Sequence, residues 1–385
     1  MKQITKLVLL LPLLWAAGCQ KESSPNGKEQ IGEGNEAEVQ IHVSLADPGQ
    51  ATKSIVQGTE IPDQFSYGVF VCKAGTTDKG NLHKQNSWNL KATYTKGAEG
   101  EEDSWSYQYV NDFDSGALNA DADERITITA PVKGDPKADL YAYAPYIAAA
   151  HDNDPTAIPI EIASNISNQV DLMYAEENNT EANKGLDPTS AGDDPLEANF
   201  TFRHALALLA FEFEIKNYNA RYSSSISISS IKIKKKNPGS NTTAKLYKTA
   251  YLNAITGQLN TDYDNNVVDQ LEVSYRSLLS DEVPIIRPNS EGADLTLYMA
   301  LIPTQLEDDE LEIEFTFNRT NLIQSKPFVL KKQYVKHGDG EKNGFQPGYM
   351  YTLKFRMDNY LYLDGFETAL WNDSKNLISE QPIQI

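Results

Sequence analysis

The chain has 385 residues, 40% of them hydrophobic and 10% aromatic, enough to fill the cores of two ordinary domains and to argue against global disorder. Its 54 acidic residues outnumber 34 basic ones, a formal charge of -20. That balance opposes binding to nucleic acid or to an anionic membrane face, because phosphates need clustered cations, and two cysteines cannot supply a disulfide framework.

The first residues read as an address. Lys2 and Lys6 precede an apolar run over 7–15. That run is far short of the roughly 20 residues that span a bilayer, and it matches a secretory core. Ala16, Ala17 and Gly18 then lead into Cys19. Small residues directly before a cysteine read as a bacterial lipoprotein signal over residues 1–18. The Cys19 thiol would carry the acyl lipid (diacylglycerol, palmitate-type chains) and become the mature N-terminus. Ordinary secretion, with Cys19 incidental, is the competing reading. Residues 19–37 are rich in Ser, Gly, Asn and Glu and cannot bury enough surface to order themselves, so they are expected to form a flexible tether.

Beyond the tether, alternation dominates. Val39, Ile41 and Val43 alternate with Gln40, His42 and Ser44; Ile126 and Ile128 repeat the pattern in RITITA. SISISSIKIK alternates at Ile226, Ile228, Ile231 and Ile233, with a slip at Ser229-Ser230 that predicts a bulge, and LEIEFTF alternates at Leu311, Ile313, Phe315 and Phe317. Period two in β-branched and aromatic residues predicts strands with one buried face. Further strands are predicted at 67–73, 140–146, 171–174, 295–302, 328–334 and 349–362. Residues 198–216 read as one long or bent strand with a break near Leu206. Helical signals are thin, so the fold class is all-β, built from sandwiches. The polar stretch around 178–195, with Gly185, Pro188, Gly192 and Pro195, predicts the domain boundary. It divides the chain into an N-terminal domain at 38–183, a linker at 184–195 and a C-terminal domain at 196–385.

Signals for chemistry are weak. The five histidines share no metal-ligand spacing, and no nucleophile elbow or phosphate loop is present. His204, between apolar neighbours, reads as a buried structural histidine bonded to backbone. The acidic loops near Asp112 and Asp262 lack the full calcium-loop order and read as solvated turns. Trp88, Trp105 and Trp371 read either as a sugar-stacking platform or, more simply, as packing residues; Cys72 reads as a small buried hydrophobe. No catalytic residue, cofactor or metal is expected.

Several segments together resemble one family: a lipoprotein Cys19, EVQIHVSLADPGQATKSIVQG, SYGVFV, DLYAYAPY, VDLMYA, FTFRHALA at 200–207, and QPGYMYTLKF followed by LYLDGFETALW ending at Trp371. This pattern is similar to the fimbrillin superfamily, specifically the Mfa-like fimbrillins of type V pili. The resemblance implies two transthyretin-like β-sandwich domains in tandem and a lipidated precursor on the outer membrane and cell surface. It implies a trypsin-like cut after the first strand, then strand exchange with a neighbouring fimbrial subunit. Val39, Ile41, Val43 and Leu45 match the removable strand. Lys53 stands where the family usually carries Arg; a solvated loop lysine is the alternative. Leu377, Ile378, Ile383 and Ile385 match either a donor segment or a closing strand of a non-polymerising tip or anchor subunit. Expected partners are other fimbrial subunits and a host or bacterial surface receptor, with membrane contact only through the N-terminal lipid. The competing function is a surface glycan-binding lipoprotein; a hydrolase lacks any marked pair of groups.

Overall fold

A computed structural model of the chain describes residues 31–45, 61, 63–77, 89–98, 100–112, 117–118, 126–131, 137–148, 155–175, 183–190, 194–215, 226–237, 244–262, 266–275, 285–286, 295–306, 310–317, 327–337, 342–357, 361–371 and 383–384. Among the described residues nearly all of the secondary structure is strand, with 3-10 turns at Ile166–Asn168 and Lys332–Val335. Among the described residues, no helix is long and apolar enough to cross a membrane.

The N-terminal half contributes β1 (Ile31–Leu45), β2 (Ser66–Lys73), β3 (Leu90–Thr95), β4 (Ser104–Gln108), β5 (Val110–Asp112), β6 (Ala117–Leu118), β7 (Ile126–Pro131), β8 (Ala138–Ala144), β9 (Ile158–Glu161), β10 (Met173–Ala175) and β11 (Leu196–His204). Eight of these form one sheet in the order β4-β3-β2-β8-β10-β11-β1-β7. Neighbouring strands are about 4.8 Å apart, so β2 and β11, three places apart, would be far from each other in a flat sheet. Yet Tyr67 on β2 lies with its ring centroid 5.4 Å from Phe202 and 6.0 Å from Phe200 on β11. The sheet therefore coils until its two halves face each other, and Val39, Tyr67, Val69, Ile126, Ile128, Phe200 and Phe202 fill the space between. On the other face of β2, Gly68 in SYGVFV makes room for the ring of its cross-strand partner Tyr143: a Cβ there would sit 2.3 Å from that ring.

The C-terminal half contributes β12 (Ala207–Ile215), β13 (Ile226–Lys235), β14 (Leu246–Tyr247), β15 (Thr249–Leu252), β16 (Leu259–Asn260), β17 (Val267–Val268), β18 (Gln270–Ser274), β19 (Ile285–Ile286), β20 (Leu295–Leu301), β21 (Thr304–Gln305), β22 (Leu311–Phe317), β23 (Phe328–Leu330), β24 (Lys336–His337), β25 (Lys342–Phe345), β26 (Tyr349–Met357), β27 (Leu361–Leu370) and β28 (Ile383–Gln384). Two sheets, β20-β12-β26-β27-β28 and β18-β13-β22-β23, pack face to face. Phe315 of the second sheet stands edge-on to Phe211, Phe213 and Phe355 of the first at 5.8, 5.4 and 5.0 Å. The predicted slip in β13 is present as a register shift between Ile228 and Ser230 against β22. On the outer face of the same strands, Lys232 and Lys234 pair with Glu272, Glu312 and Glu314.

Two boundaries differ from the sequence reading. First, β11 belongs to the N-terminal sheet, paired with β10 and β1, so residues 196–204 do not open the second domain. The chain crosses at Ala205-Leu206, both fully buried, and enters the second domain as β12. The polar stretch at 184–195 lies between β10 and β11, and its start is pinned to the first domain. Asn183 exchanges amide hydrogen bonds with the Asn199 backbone at 2.6 Å each way, Gly185 N donates to Asp139 Oδ1 at 2.8 Å, and Leu186 bridges Ala138. Polarity and turn formers mark a loop; they do not mark where a chain changes sheets, and here that change happens inside the core. Second, β1 begins at Ile31, so the tether predicted over 19–37 ends earlier. Residues 31–37 are ordered by pairing with β7, which composition does not register.

The segment between β8 and β10 is stitched to the second domain. β9 pairs with β15 over Ile158–Glu161. Ser274 N donates to Ser164 O at 2.7 Å, and the buried Gln169 side chain accepts from Ala300 N at 2.9 Å while donating to Ala163 O at 3.2 Å. A third core joins the halves, with Phe70, Cys72 and Tyr143 from one side and Leu208, Leu252, Ala300, Ile302 and Trp371 from the other. Cys72 is fully buried, as its strand position predicts.

Candidate assembly site

The alternating β1 sequence lays Val39, Ile41 and Leu45 on the inner face, 1%, 7% and 6% exposed, with Val43 half-buried. Gln40, His42 and Ser44 point to solvent. β1 lies between two neighbours. It runs parallel to β11 from Val39↔Leu196 to Leu45↔Phe202, and antiparallel to β7 from Ile31↔Pro131 to Val39↔Ile126. The two pairings meet at Val39, so the strand bridges β7 with its first half and β11 with its second. On the outer face, Ser44 Oγ and Thr201 Oγ1 are 3.1 Å apart.

Each fully buried Val, Ile or Leu contributes about 1.5–3 kcal/mol, so Val39, Ile41 and Leu45 together contribute about 5–9 kcal/mol before the cost of ordering the strand. Withdrawing β1 would also unpair the facing backbone groups of β11 and β7, and buried unpaired groups are costly. The seat is lined with Phe200, Phe202, Ile126 and Ile128, all 1% exposed or less. Beneath it, burial pushes the Tyr67 phenol well above its ordinary range, with the neighbouring Tyr107 hydroxyl adding to the shift.

The FTFRHALA segment supplies one wall of this seat and then the domain junction. Phe200 and Phe202 face the N-terminal core, and His204 ends β11. His204 Nδ1 lies 2.8 Å from Asp171 Oδ1, both side chains buried, and its ring stacks on Trp371 at 4.2 Å and 5°. The histidine is buried as expected, and Asp171 is a partner that the sequence reading did not name. Trp371, whose backbone N–H donates to Gly348 O, is 2% exposed and closes the end of β27 over this pair. Trp105 packs half-buried against Tyr67 and Tyr94, with centroids 5.2 and 5.1 Å away. Neither tryptophan forms a sugar platform; they are packing residues, and Trp88 lies outside the described residues.

Sheet edges decide where another strand can add. The outer edge of β20 is occupied by side chains: Tyr275 Oη donates to Tyr298 O at 2.7 Å, and Ala300 N is taken by Gln169. The end of β18 is covered by Ser164 and Asn165 from the first domain. β27 differs. Its outer edge carries the two-residue β28, with Leu363↔Ile383 and Tyr362↔Gln384. Of the sequence-predicted donor residues, Ile383 is therefore placed on β27, while Leu377, Ile378 and Ile385 lie outside the described residues, as do Cys19 and Lys53. Sequence reasoning missed β7 as the second neighbour of β1, and Asp171 as the partner of His204. Among the described residues, no group of three or more His, Cys, Asp or Glu gathers as a metal site.

A family model described as fimbrillin-like matches residues 68–371. The chain is similar to a crystal structure described as a candidate cell adhesion protein from Bacteroides uniformis ATCC 8492, with 15% identity, 89% of this chain and 100% of that chain covered, and a TM-score of 0.50. It is similar to another so described from Bacteroides ovatus ATCC 8483, with 15% identity, 89% and 98% coverage, and a TM-score of 0.45. A third is the tip fimbrial protein Mfa3 from Porphyromonas gingivalis with C-terminal truncation, at 8% identity, 87% and 98% coverage, and a TM-score of 0.40. At such identities, the likeness to the first concerns the fold alone. No curated protein matches the chain.

Proposed function

The chain belongs to the fimbrillin-like family, and from that premise we propose that it is a structural and adhesive subunit of a cell-surface fimbrium, in stalk or tip. The signal-like run ending at Cys19 supports export as an outer-membrane lipoprotein held by its N-terminal acyl chains. Assembly proceeds by donor-strand exchange. A trypsin-like protease cuts after Lys53, β1 leaves, and a neighbour's C-terminal segment bearing Leu377, Ile378, Ile383 and Ile385 enters the vacated seat. The subunit's partners are other fimbrial subunits, and the tip or shaft meets a host or bacterial surface receptor.

The observation that carries this reading is the seat of β1. A segment from the start of the chain is the inner strand that joins β11 to β7. Its departure opens an apolar groove flanked by two unpaired edges, and an incoming strand repairs both defects at once. An intact chain fills its own seat and stays monomeric, so the cut acts as the trigger. Val39, Ile41 and Leu45 are spaced by alternation, so any donor needs apolar residues at the same period.

Limited digestion of the purified protein with a trypsin-like protease tests the proposal. Release of the segment ending at Lys53 should be followed by a ladder of multimers on native and mildly denaturing gels. A cleaved protein that retains β1, or loses it and remains monomeric, would contradict it.

A further inference from the structure

We infer that the cleft at the domain junction is a saccharide-binding site that favours sugars bearing a carboxylate. The inference goes beyond strand exchange and does not rest on it. The cleft has a volume of about 770 Å³, within the range of small-ligand sites and roomy enough for more than one sugar ring. Its walls come from both domains: Tyr174 on β10, and from the second domain Lys245, Tyr247, Gln258, Gln305 and Gln346. This is the chemistry that recognises a sugar. Tyrosine rings offer apolar faces with a polar tip. Each glutamine amide offers both donors and an acceptor, which matches a hydroxyl that does both.

The charge of the cleft departs from that of the chain. Acidic residues number 54 of 385, yet no Asp or Glu is among the described residues that line it, and Lys245 is there. In a chain of net charge -20, a lining without carboxylates beside a lysine lowers, locally, the repulsion that an acidic sugar meets. One lysine with no glycine-rich loop or helix terminus is too little for a nucleotide's phosphates.

The walls are held in place before any ligand arrives. In the turn between β15 and β16, Asn253 Oδ1 accepts from Ile255 N at 2.9 Å and Thr256 N at 3.2 Å, and Gly257 N donates to Asn253 O at 2.8 Å. Gly257 has φ +70°, and a Cβ there would sit 2.0 Å from Tyr174 Cζ. The glycine thus lies directly on the Tyr174 ring and fixes it as part of the wall. On the opposite wall, Gln346 N donates to Tyr351 Oη at 2.9 Å, and that hydroxyl donates to Gly344 O at 3.0 Å. Gly348 N donates to Leu206 O at 2.8 Å, tying the same loop to the domain crossing. A site built this way loses little freedom on binding.

The test is an array of neutral, uronate-bearing and sialylated oligosaccharides probed with the purified full chain, followed by titration of lactose against sialyllactose. Acidic sugars should be retained, with sialyllactose bound about tenfold more tightly than lactose, the effect of one charge-assisted contact. Lys245→Ala should abolish that difference. Tyr247→Ala should weaken both sugars, and Gln258→Ala, which alters an exposed side chain, gives a second reading should Tyr247→Ala disturb folding. Tyr251→Ala, on an exposed tyrosine outside the lining, should change nothing. The inference fails if the wild-type chain retains no sugar, or if Lys245→Ala and Gln258→Ala retain sugars as the wild type does. All of these variants should form the protease-triggered ladder normally, so failure here leaves the assembly proposal standing, and loss of the ladder in the wild type leaves this one standing.

Discussion

The two halves of the molecule close their cores in opposite ways. The C-terminal sandwich contains a long-range parallel pair, β12 against β26 from Leu208↔Met350, but its parallel strands continue directly into neighbouring strands of the same unit, and Phe213, Phe315, Phe328 and Phe355 pack in one contiguous cluster. The N-terminal sheet is completed by a segment from the start of the chain, laid parallel to a strand more than a hundred residues away. β12 is continuous with β11 through the buried Ala205-Leu206 crossing, so it cannot be withdrawn without pulling both cores apart, whereas β1 is joined to the rest of its sheet only by pairing with β11 and β7 and by the chain that follows it. The proposal of strand exchange rests on this difference.

Substitutions in the two cores sharpen this contrast. Phe355→Ala, in the middle of the second core at 1% exposure, should cost about 3–5 kcal/mol, read as a lower midpoint in denaturant unfolding. No added peptide should restore that loss. Ile41→Ala should cost less, about 2–4 kcal/mol, and here a peptide of residues 31–45 added to a chain lacking β1 should restore near-UV ellipticity of the first domain. Failure of the peptide to bind would erase the distinction between the two cores.

Smaller effects probe the joint between them. Gln169→Ala leaves the Ala300 N–H, on the edge of β20, without its partner. That should cost about 1–3 kcal/mol and split a single thermal transition into two, visible by calorimetry. The smallest effect concerns the β3–β4 hairpin. A hydrogen bond from the Tyr94 hydroxyl, with a second from Gly97 N, holds the Asp103 carboxyl below its ordinary range. A lowered acid pKa stabilises the fold above the unfolded value, and that contribution disappears as pH falls through the folded one. Tyr94→Phe should therefore lower Tm slightly at neutral pH, and the difference from wild type should vanish in acid. A constant difference at all pH values would assign the effect to packing.

Much of the strand pattern was legible in the residues themselves. Alternation in SISISSIKIK and LEIEFTF reports one buried face, and the doubled serine reports the bulge. The break near Leu206 was visible because FTFRHALALLAFEFEI changes which residues face inward there. Other features were not legible, because they are relations between distant segments. The parallel seat of β1 against β11 leaves no mark in β1, whose alternation would suit any edge. The domain crossing at Ala205-Leu206 is apolar and resembles core, while the loop that looked like a linker is pinned by Asn183 and Asp139. β9 is four residues long and signals nothing about its pairing with β15. Asp171 and His204 are 33 positions apart, and only the fold brings them to 2.8 Å.

The central claim is that β1 must leave its seat for subunits to join, and a reversible lock tests it directly. Ser44 and Thr201 are direct partners on adjacent strands, and their hydroxyl oxygens are 3.1 Å apart, so a modest rotation of two cysteine side chains would bring the sulfurs to the roughly 2.05 Å of a disulfide. In the Ser44→Cys, Thr201→Cys double variant, digestion after Lys53 should give no multimers while the bridge is oxidised, and a full ladder once it is reduced. Multimers forming equally well from the oxidised protein would show that β1 stays in place during assembly and would contradict the account.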